Sequence, residues 1–249
     1  MKLLLIDAGN TRIKWAVVGA DAALGAWEAA DAAPHADLDA MAAGWRAAGV
    51  TRAVISNVAG PEVRARIAAA LPDGIEVEWF ASTSTRAGLQ NGYRNPGQLG
   101  CDRFAAAIGA RALAPGEDVI VATCGTATTV DAVTKDGRFI GGMILPGLVL
   151  MATSLARNTA QLPQVQPGSA APPLFGDNTD DAIISGILSA QAGAIERACA
   201  AHAATSCCVS GGAAPYIAPA LKCAHRVVDN IVLVGLHAAA SIDMGERSC

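Results

Sequence analysis

The chain has little of what a polyanion binder, a secreted domain or a membrane protein needs. Lys and Arg number 18 against 22 Asp and Glu, a formal net charge of −4, and no basic stripe stands out. A general nucleic-acid or anionic-membrane surface is therefore excluded. Charged residues are only 16% of the chain, yet 52% is hydrophobic, which rules out disorder through too little apolar burial. Aromatics are 4%, so Ala, Leu, Val and Ile must fill the core. The seven cysteines, Cys101, Cys124, Cys199, Cys207, Cys208, Cys223 and Cys249, show no C-x-x-C or Cys/His spacing of zinc-site type. They read as reduced thiols of a cytoplasmic protein. His35, His202, His225 and His237 match no triad or metal pattern, and the G-x-S-x-G hydrolase motif is missing. The apolar start is cut by Asp7 well before the ~7 to 15 apolar residues of a signal peptide's core. The most membrane-like stretch, residues 139–156, carries Gly141, Gly142, Pro146 and Gly147 and reads as strand, turn and helix. The expectation is a cytoplasmic protein with a small-molecule partner, and no nucleic acid or membrane.

What is present is an alternation of elements in two similar halves. At 249 residues the chain suits one large domain or two small ones. In the first half, strands are predicted at 2–7 and 13–18 around a turn at 8–11, then a helix at 37–49 with Leu38, Met41 and Trp45 on one face. A strand at 51–58, a helix at 62–71 opened by Pro61, a strand at 75–80 and a helix at 101–113 follow. The second half restarts with strands at 118–123 and 128–134 around a turn at 124–127, and a third strand at 138–144. Helices are predicted at 148–160, 179–202 and 216–221 and from 231, with strands at 206–210 and 225–228. Laying I-D-A-G-N-T-R-I-K at 6–14 over A-T-C-G-T-A-T-T-V at 122–130 puts Gly9 on Gly125 and suggests a duplicated domain.

Both turns suit phosphate. Glycine between two strands lets backbone N–H groups approach an anion, and hydroxyl or amide side chains add donors. Asn10 and Thr11 follow Gly9, and Thr126, Thr128 and Thr129 follow Gly125. A plain hairpin, with Gly9 at positive φ and Asn10 tolerating the turn, would account for the first, and β propensity for the threonines of the second. Their recurrence at equivalent places favours a nucleotide clamp, because phosphoryl transfer depends mainly on positioning and charge neutralisation. Asp7 at the strand end suits a hard divalent cation beside phosphates. A third constellation, Tyr93, Pro96, Leu99, Gly100, Cys101, Asp102 and Arg103, meets the start of a helix, where N–H donors favour an anionic ligand group. Arg103 can pair with a carboxylate and Asp102 can accept a hydroxyl proton; dipole complementation alone would also explain Asp102. Asp177, Asn178 and Thr179 are candidate N-caps of the long helix.

The ordered motifs D-x-G-N-T at 7–11, I-S-N-V at 55–58, Y-x-x-P-x-x-L-G-x-D-R at 93–103 and G-T-A-T-T at 125–129 run through the chain. They continue with G-G-x-I-x-P-G-L at 141–148, T-A-x-L-P at 159–163, G-x-N-T at 176–179 and S-G-G at 210–212. This series resembles the type III pantothenate kinases of the acetate and sugar kinase, Hsc70 and actin superfamily. The resemblance implies an α/β fold of duplicated actin-like (ribonuclease H-like) domains, each a mixed β-sheet flanked by helices, with an ATP cleft between them. The domains would be residues 1–115 and 116–249.

The resemblance further implies ATP-dependent phosphorylation of pantothenate to 4'-phosphopantothenate, the first step of coenzyme A biosynthesis. Asp102 would be the catalytic base and Asp7 the residue holding Mg2+. ATP would be bound by Asp7, Ala8, Gly9, Asn10, Thr11, Arg12, Ile13 and Lys14 and by Gly125 and Thr126, and pantothenate by Tyr93, Gly100, Cys101, Asp102, Arg103 and Thr179. A homodimer is implied, as is a monovalent cation, K+ or NH4+. Many relatives carry an acidic residue for that ion where this sequence has Thr123, a weaker ligand. Cys101 at a helix start is expected to be structural. The alternatives are a related kinase with another hydroxyl acceptor and a non-catalytic accessory protein in gene regulation. Low basic charge and the joint presence of Asp7, Asp102 and Arg103 speak against the latter.

Overall fold

A computed structural model describes residues 2–19, 21–168 and 172–247, the last five as helical backbone alone. Cys249 lies outside the described residues. The chain forms two compact units, Met1–Leu113 with Gly137–Phe139 and Asn230–Cys249, and Ala114–Asp136 with Ile140–Asp229.

The first unit opens with β1 (Lys2–Ala8), β2 (Arg12–Gly19), β3 (Ala29–Pro34), α1 (Leu38–Ala47), β4 (Arg52–Asn57), α2 (Pro61–Ala70) and β5 (Glu76–Trp79). These strands form a five-stranded sheet in the order β3-β2-β1-β4-β5. Antiparallel pairing joins β1 to β2 and β2 to β3, and parallel pairing joins β1 to β4 and β4 to β5. Central β1 is buried on both faces, which is why it reads as an unbroken apolar run. Leu4 and Ile6 pack with Met41, Trp45 and Ile67 of α1 and α2. The spacing that predicts α1 is the one that buries Leu38, Met41 and Trp45.

Beyond β5 come β6 (Thr85–Arg86), β7 (Leu89–Asn91) and α3 (Cys101–Leu113). β6 and β7 form a short antiparallel pair, and β7 lies parallel to Arg138 and Phe139. The sequence reading missed β3, β6 and β7. β3 is A-A-D-A-A-P, with no β-branched or aromatic residue and no alternation, and its strand form depends on pairing with β2.

The second unit holds β8 (Val119–Cys124), β9 (Ala127–Val133), most of β10 (Arg138–Pro146), α4 (Leu148–Asn158), α5 (Thr179–His202), β11 (Ser206–Ser210), α6 (Ala214–Ile217) and β12 (Arg226–Val227). Its strands run in the order β12-β11-β8-β9-β10. β8 is antiparallel to β9 and parallel to β11, which is parallel to β12. Ile120, Ala122 and Val130 pack under Ile184, Ile187, Leu188 and Ile195 of α5. Each unit is thus a mixed sheet with helices against it. The short helix expected at 216–221 is displaced, because α6 starts at Ala214 and a 3-10 turn, Ala218–Ala220, completes it.

The last helix, α7 (Ile231–Arg247), groups with the first unit although the sequence division put it in the second half. Two glycines explain the placement. A Cβ on Gly109 of α3 would lie 2.7 Å from the Ile231 carbonyl oxygen, and one on Gly235 of α7 would lie 1.7 Å from that of Ala105. The two helix backbones therefore touch, a contact that no hydrophobic periodicity reveals. Gly235→Ala should lower the unfolding free energy by at least about 2 kcal/mol through overpacking. An unchanged urea midpoint would contradict this packing.

Candidate active site

In the first unit the site grows from the carboxyl ends of β1 and β4. Register sets Asp7 opposite Lys14 in β2 and beside Ser56 in β4. Asp7 is 6% exposed and its Oδ1 has no hydrogen-bond partner. Burial pushes its carboxyl up to about 6, with Lys14 pulling it down and the Asp102 carboxylate adding to the rise. A buried oxygen without a donor calls for a cation or a proton. The first turn closes by donation from Gly9 N–H to the Arg12 carbonyl at 3.1 Å, and His35 Nε2 lies 2.8 Å from the Gly9 carbonyl. Asn10, Thr11 and Arg12 are exposed beyond it, Ile13 is buried and Lys14 is half-buried. Arg12 also donates to the Ala32 carbonyl of β3. Sequence reasoning gave His35 no role, and nothing in its spacing points to the turn.

Gly9 does not take the positive φ that a simple hairpin reading supposes. A Cβ there would meet only the Arg12 carbonyl, at an ordinary 3.5 Å. Gly125, in the second turn, behaves likewise: its N–H donates to the Ala127 carbonyl at 3.0 Å, and a Cβ would lie 3.7 Å from that oxygen. The fold requires glycine at neither place, and both turns leave room for close approach to the backbone.

Asp102 stands in the first turn of α3. Its Oδ1 accepts from the Arg103 backbone N–H at 2.8 Å. Burial raises its pKa, while the Arg103 N–H and guanidinium and Lys14 oppose the rise. A Cβ on Gly100 would fall 2.6 Å from Asp102 Oδ1, so glycine clears the space for this carboxylate. Cys101 fastens the helix start to β4: its Sγ lies 3.4 Å from Ser56 Oγ and 3.6 Å from the Asn57 carbonyl. Burial pushes the thiol pKa up, so Cys101 is a protonated tether, in keeping with a structural role. Arg103 donates to Tyr93 Oη at 2.9 Å and lies across the Tyr93 and Phe139 rings. The Tyr93 backbone N–H donates in turn to Asn91 Oδ1 at 3.0 Å, and Asn91 Nδ2 to the Pro96 carbonyl. Asn91 and Phe139 were not singled out from the sequence; their positioning role comes from β7 pairing with 138–139.

In the second unit, the turn of Gly125 and Thr126 joins β8 to β9 and is exposed. It is held from two sides. A Cβ on Gly147 would lie 2.1 Å from the Gly125 carbonyl, and one on Gly211, which has φ +96, 2.3 Å from the Cys124 carbonyl. Gly147 N–H donates to the Thr126 carbonyl, and Ala213 N–H to that of Cys124, each at 3.0 Å. The glycines of P-G-L and S-G-G thus exist so that two backbones can brace this turn. Thr123, half-buried, pairs with Thr129 in β9 and Ser210 in β11. Thr179 is the exposed first residue of α5, whose N-cap Asn178 accepts from the Asp181 N–H at 3.0 Å.

Asp7, Lys14, Tyr93, Gly100, Cys101, Asp102 and Arg103 belong to the first unit, and Thr123, Gly125, Thr126 and Thr179 to the second. On an actin-like fold, the first unit sets a buried carboxylate beside a second one, next to an open Gly-containing turn and an Arg–Tyr pair. Solved structures agree on that fold. A Campylobacter jejuni protein named for the Baf family of transcriptional activators is 17% identical with a TM-score of 0.66, covering 98% of this chain and 99% of its own. The activator of 2-hydroxyisocaproyl-CoA dehydratase from Clostridium difficile, with bound ADPNP, is 14% identical with a TM-score of 0.57, covering 100% and 97%.

The family model for type III pantothenate kinase matches residues 3–201. Type III pantothenate kinases of Herminiimonas arsenicoxydans and Janthinobacterium sp. (strain Marseille) are 53% and 52% identical, each over 96% of this chain and 97% of the relative. The chain belongs to the type III pantothenate kinase family, and it is an enzyme.

The two kinds of glycine predict opposite behaviour. Gly9→Ala should leave the melting temperature within a few degrees of wild type, since the turn has room for a methyl group. Gly147→Ala should lose at least about 2 kcal/mol of stability. Equal melting temperatures for the two variants would remove the distinction.

Proposed function

We propose that this chain transfers the γ-phosphoryl group of ATP to the primary hydroxyl of pantothenate, giving 4'-phosphopantothenate for coenzyme A biosynthesis, with Asp102 as general base. The observation that carries the assignment is Asp102 itself, oriented by the Arg103 N–H, given space by Gly100 and set beside Asp7 and Lys14. Its raised pKa suits a group that takes a hydroxyl proton as that oxygen attacks phosphorus in line. Arg103, buttressed by Tyr93, would pair with the pantothenate carboxylate. Gly100, Cys101 and Thr179 would complete the acceptor site.

The turn from Asp7 to Lys14 and the one at Gly125 and Thr126 would hold the phosphates through backbone donors and hydroxyls. Asp7 fits a divalent cation, because its buried Oδ1 lacks a partner and hard cations favour carboxylate oxygen. Mg2+ bound there would neutralise charge on the phosphates; the chain's own part is to hold the carboxylate rigidly between β2 and β4. For the monovalent cation, K+ or NH4+, Thr123 offers a neutral hydroxyl beside Thr129 and Ser210, so weaker dependence is expected than with a carboxylate.

Ile140, Met143 and Ile144 on β10 and Val149 and Leu150 on α4 are exposed, Ile144 at 66%. Exposed apolar side chains on two successive elements support a homodimer. The described cysteines are free thiols, which suits the reducing cytoplasm. No described helix is long and apolar enough to cross a membrane. The regulatory alternative draws nothing from the Baf-named structure, because likeness at that identity extends to the fold alone.

Asp102→Asn should lower kcat by about 10²- to 10⁴-fold while leaving ATP affinity nearly unchanged. The check is ADP release in a coupled assay with and without pantothenate, repeated in K+, Na+ and NH4+ buffers. Normal turnover by Asp102→Asn would remove it as base, and pantothenate-independent ADP release would point to another acceptor.

A further inference from the structure

A cluster of three thiols in the second unit plays no part in the phosphoryl-transfer site. Cys199 lies in the last turn of α5, Cys207 in β11, and Cys223 in the loop before β12. Their Sγ atoms all lie within 4.8 Å of one another, and those of Cys199 and Cys223 are 3.7 Å apart. Neighbouring Cys208 is excluded because it faces the other side of β11, where Arg226 Nε lies 3.3 Å from its sulfur.

We propose that Cys199, Cys207 and Cys223 form a trithiolate site for one thiophilic d10 metal ion, Cu+ or Zn2+. Three sulfurs around one ion at a bond length of about 2.3 Å stand roughly 3.8 to 4.0 Å apart, and the cluster is near that spacing without a bond between any pair. Thiolate sulfur selects soft ions over the Mg2+ of the kinase site. Glu196 accepts from the Lys222 N–H at 2.7 Å and fixes the loop that carries Cys223. Cys199 and Cys207 are buried while Cys223 is half-buried, which leaves the third thiol as the point of entry. Cu+ would be satisfied by three sulfurs, and Zn2+ would add a water. Binding displaces the thiol protons to solvent and joins the end of α5, the start of β11 and the loop before β12.

The test is titration of the reduced full-length protein with Cd2+ as probe, followed by chelator competition with Cu+ and Zn2+. One equivalent of Cd2+ should give a sulfur-to-metal charge-transfer band with proton release, and X-ray absorption should count three sulfurs around the ion. Cys223→Ser, at a half-buried position, should keep the wild-type melting temperature without metal and its kinase turnover. It should weaken Cd2+ binding by more than about 100-fold, since loss of an outer-sphere partner alone costs 10- to 100-fold. Cys101→Ser, in the other unit, should keep the band. Absence of the band in the wild type, or a band and affinity unchanged in Cys223→Ser, would overturn the site. Kinase turnover is measured separately, so either result leaves the phosphoryl-transfer reading where it stands.

Discussion

A carboxylate oxygen shut away from water at the end of a central strand, with no donor facing it, is the constraint on which the first unit turns. Asp7 is held there by pairing on both sides of β1, to β2 and to β4, so it cannot swing out to solvent without breaking the sheet. Burial makes its ionisation harder, Lys14 only partly offsets this, and neighbouring Asp102 adds a smaller rise. A native protein rarely leaves such a group uncompensated, and the usual exceptions are sites where an ion or reacting group belongs. The adjoining ends of β1 and β4, the Cys101 tether to β4 and the space at Gly100 all set two carboxylates at one place. That placement is costly for stability and useful for handling charged phosphates.

The glycines divide by what surrounds them, and this separates folding from binding more cleanly than motif matching. Gly147, Gly211 and Gly235 sit where a Cβ would run into backbone carbonyls, so the fold accounts for them. Gly9 and Gly125 have ordinary φ, and a Cβ at either would meet its neighbours only at ordinary contact distance. The fold does not explain the second pair, as the proposed phosphate contacts would, and the bracing by Gly147 and Gly211 shows the second turn held as a rigid feature. Backbone donors fixed in this way need no basic surface around them, which reconciles an anionic substrate with a net charge of −4.

Much of the architecture was legible in the sequence because its signals are local. The unbroken apolar run of β1, the spacing of Leu38, Met41 and Trp45, and strand-turn-strand patterns around Gly9 and Gly125 each report on adjacent residues. What stayed hidden depends on partners far along the chain. β3 is a strand because β2 offers an edge, not because its alanines favour one. α7 joins α3 because Gly109 and Gly235 meet, and a single helical glycine in a sequence carries no sign of its partner. In the site, Asp7, Asp102 and Arg103 could be read from their motifs, whereas His35 on the Gly9 carbonyl and Asn91 beneath Tyr93 could not.

The thiols carry the same lesson in its sharpest form. Spacing rules for metal sites work when two ligands share one turn or hairpin, because the chain then fixes their separation. Here the separations are 199 to 207 and 207 to 223, and no local geometry brings the sulfurs together. They meet because α5 turns back through Ala203 into β11 and the loop after α6 returns the chain beside the end of the helix. β11 also runs on into Ser210 and Gly211, which brace the second turn. A metal clamping its first residues would stiffen a strand whose other end supports the Gly125 turn, so the two features share an element while keeping separate chemistry.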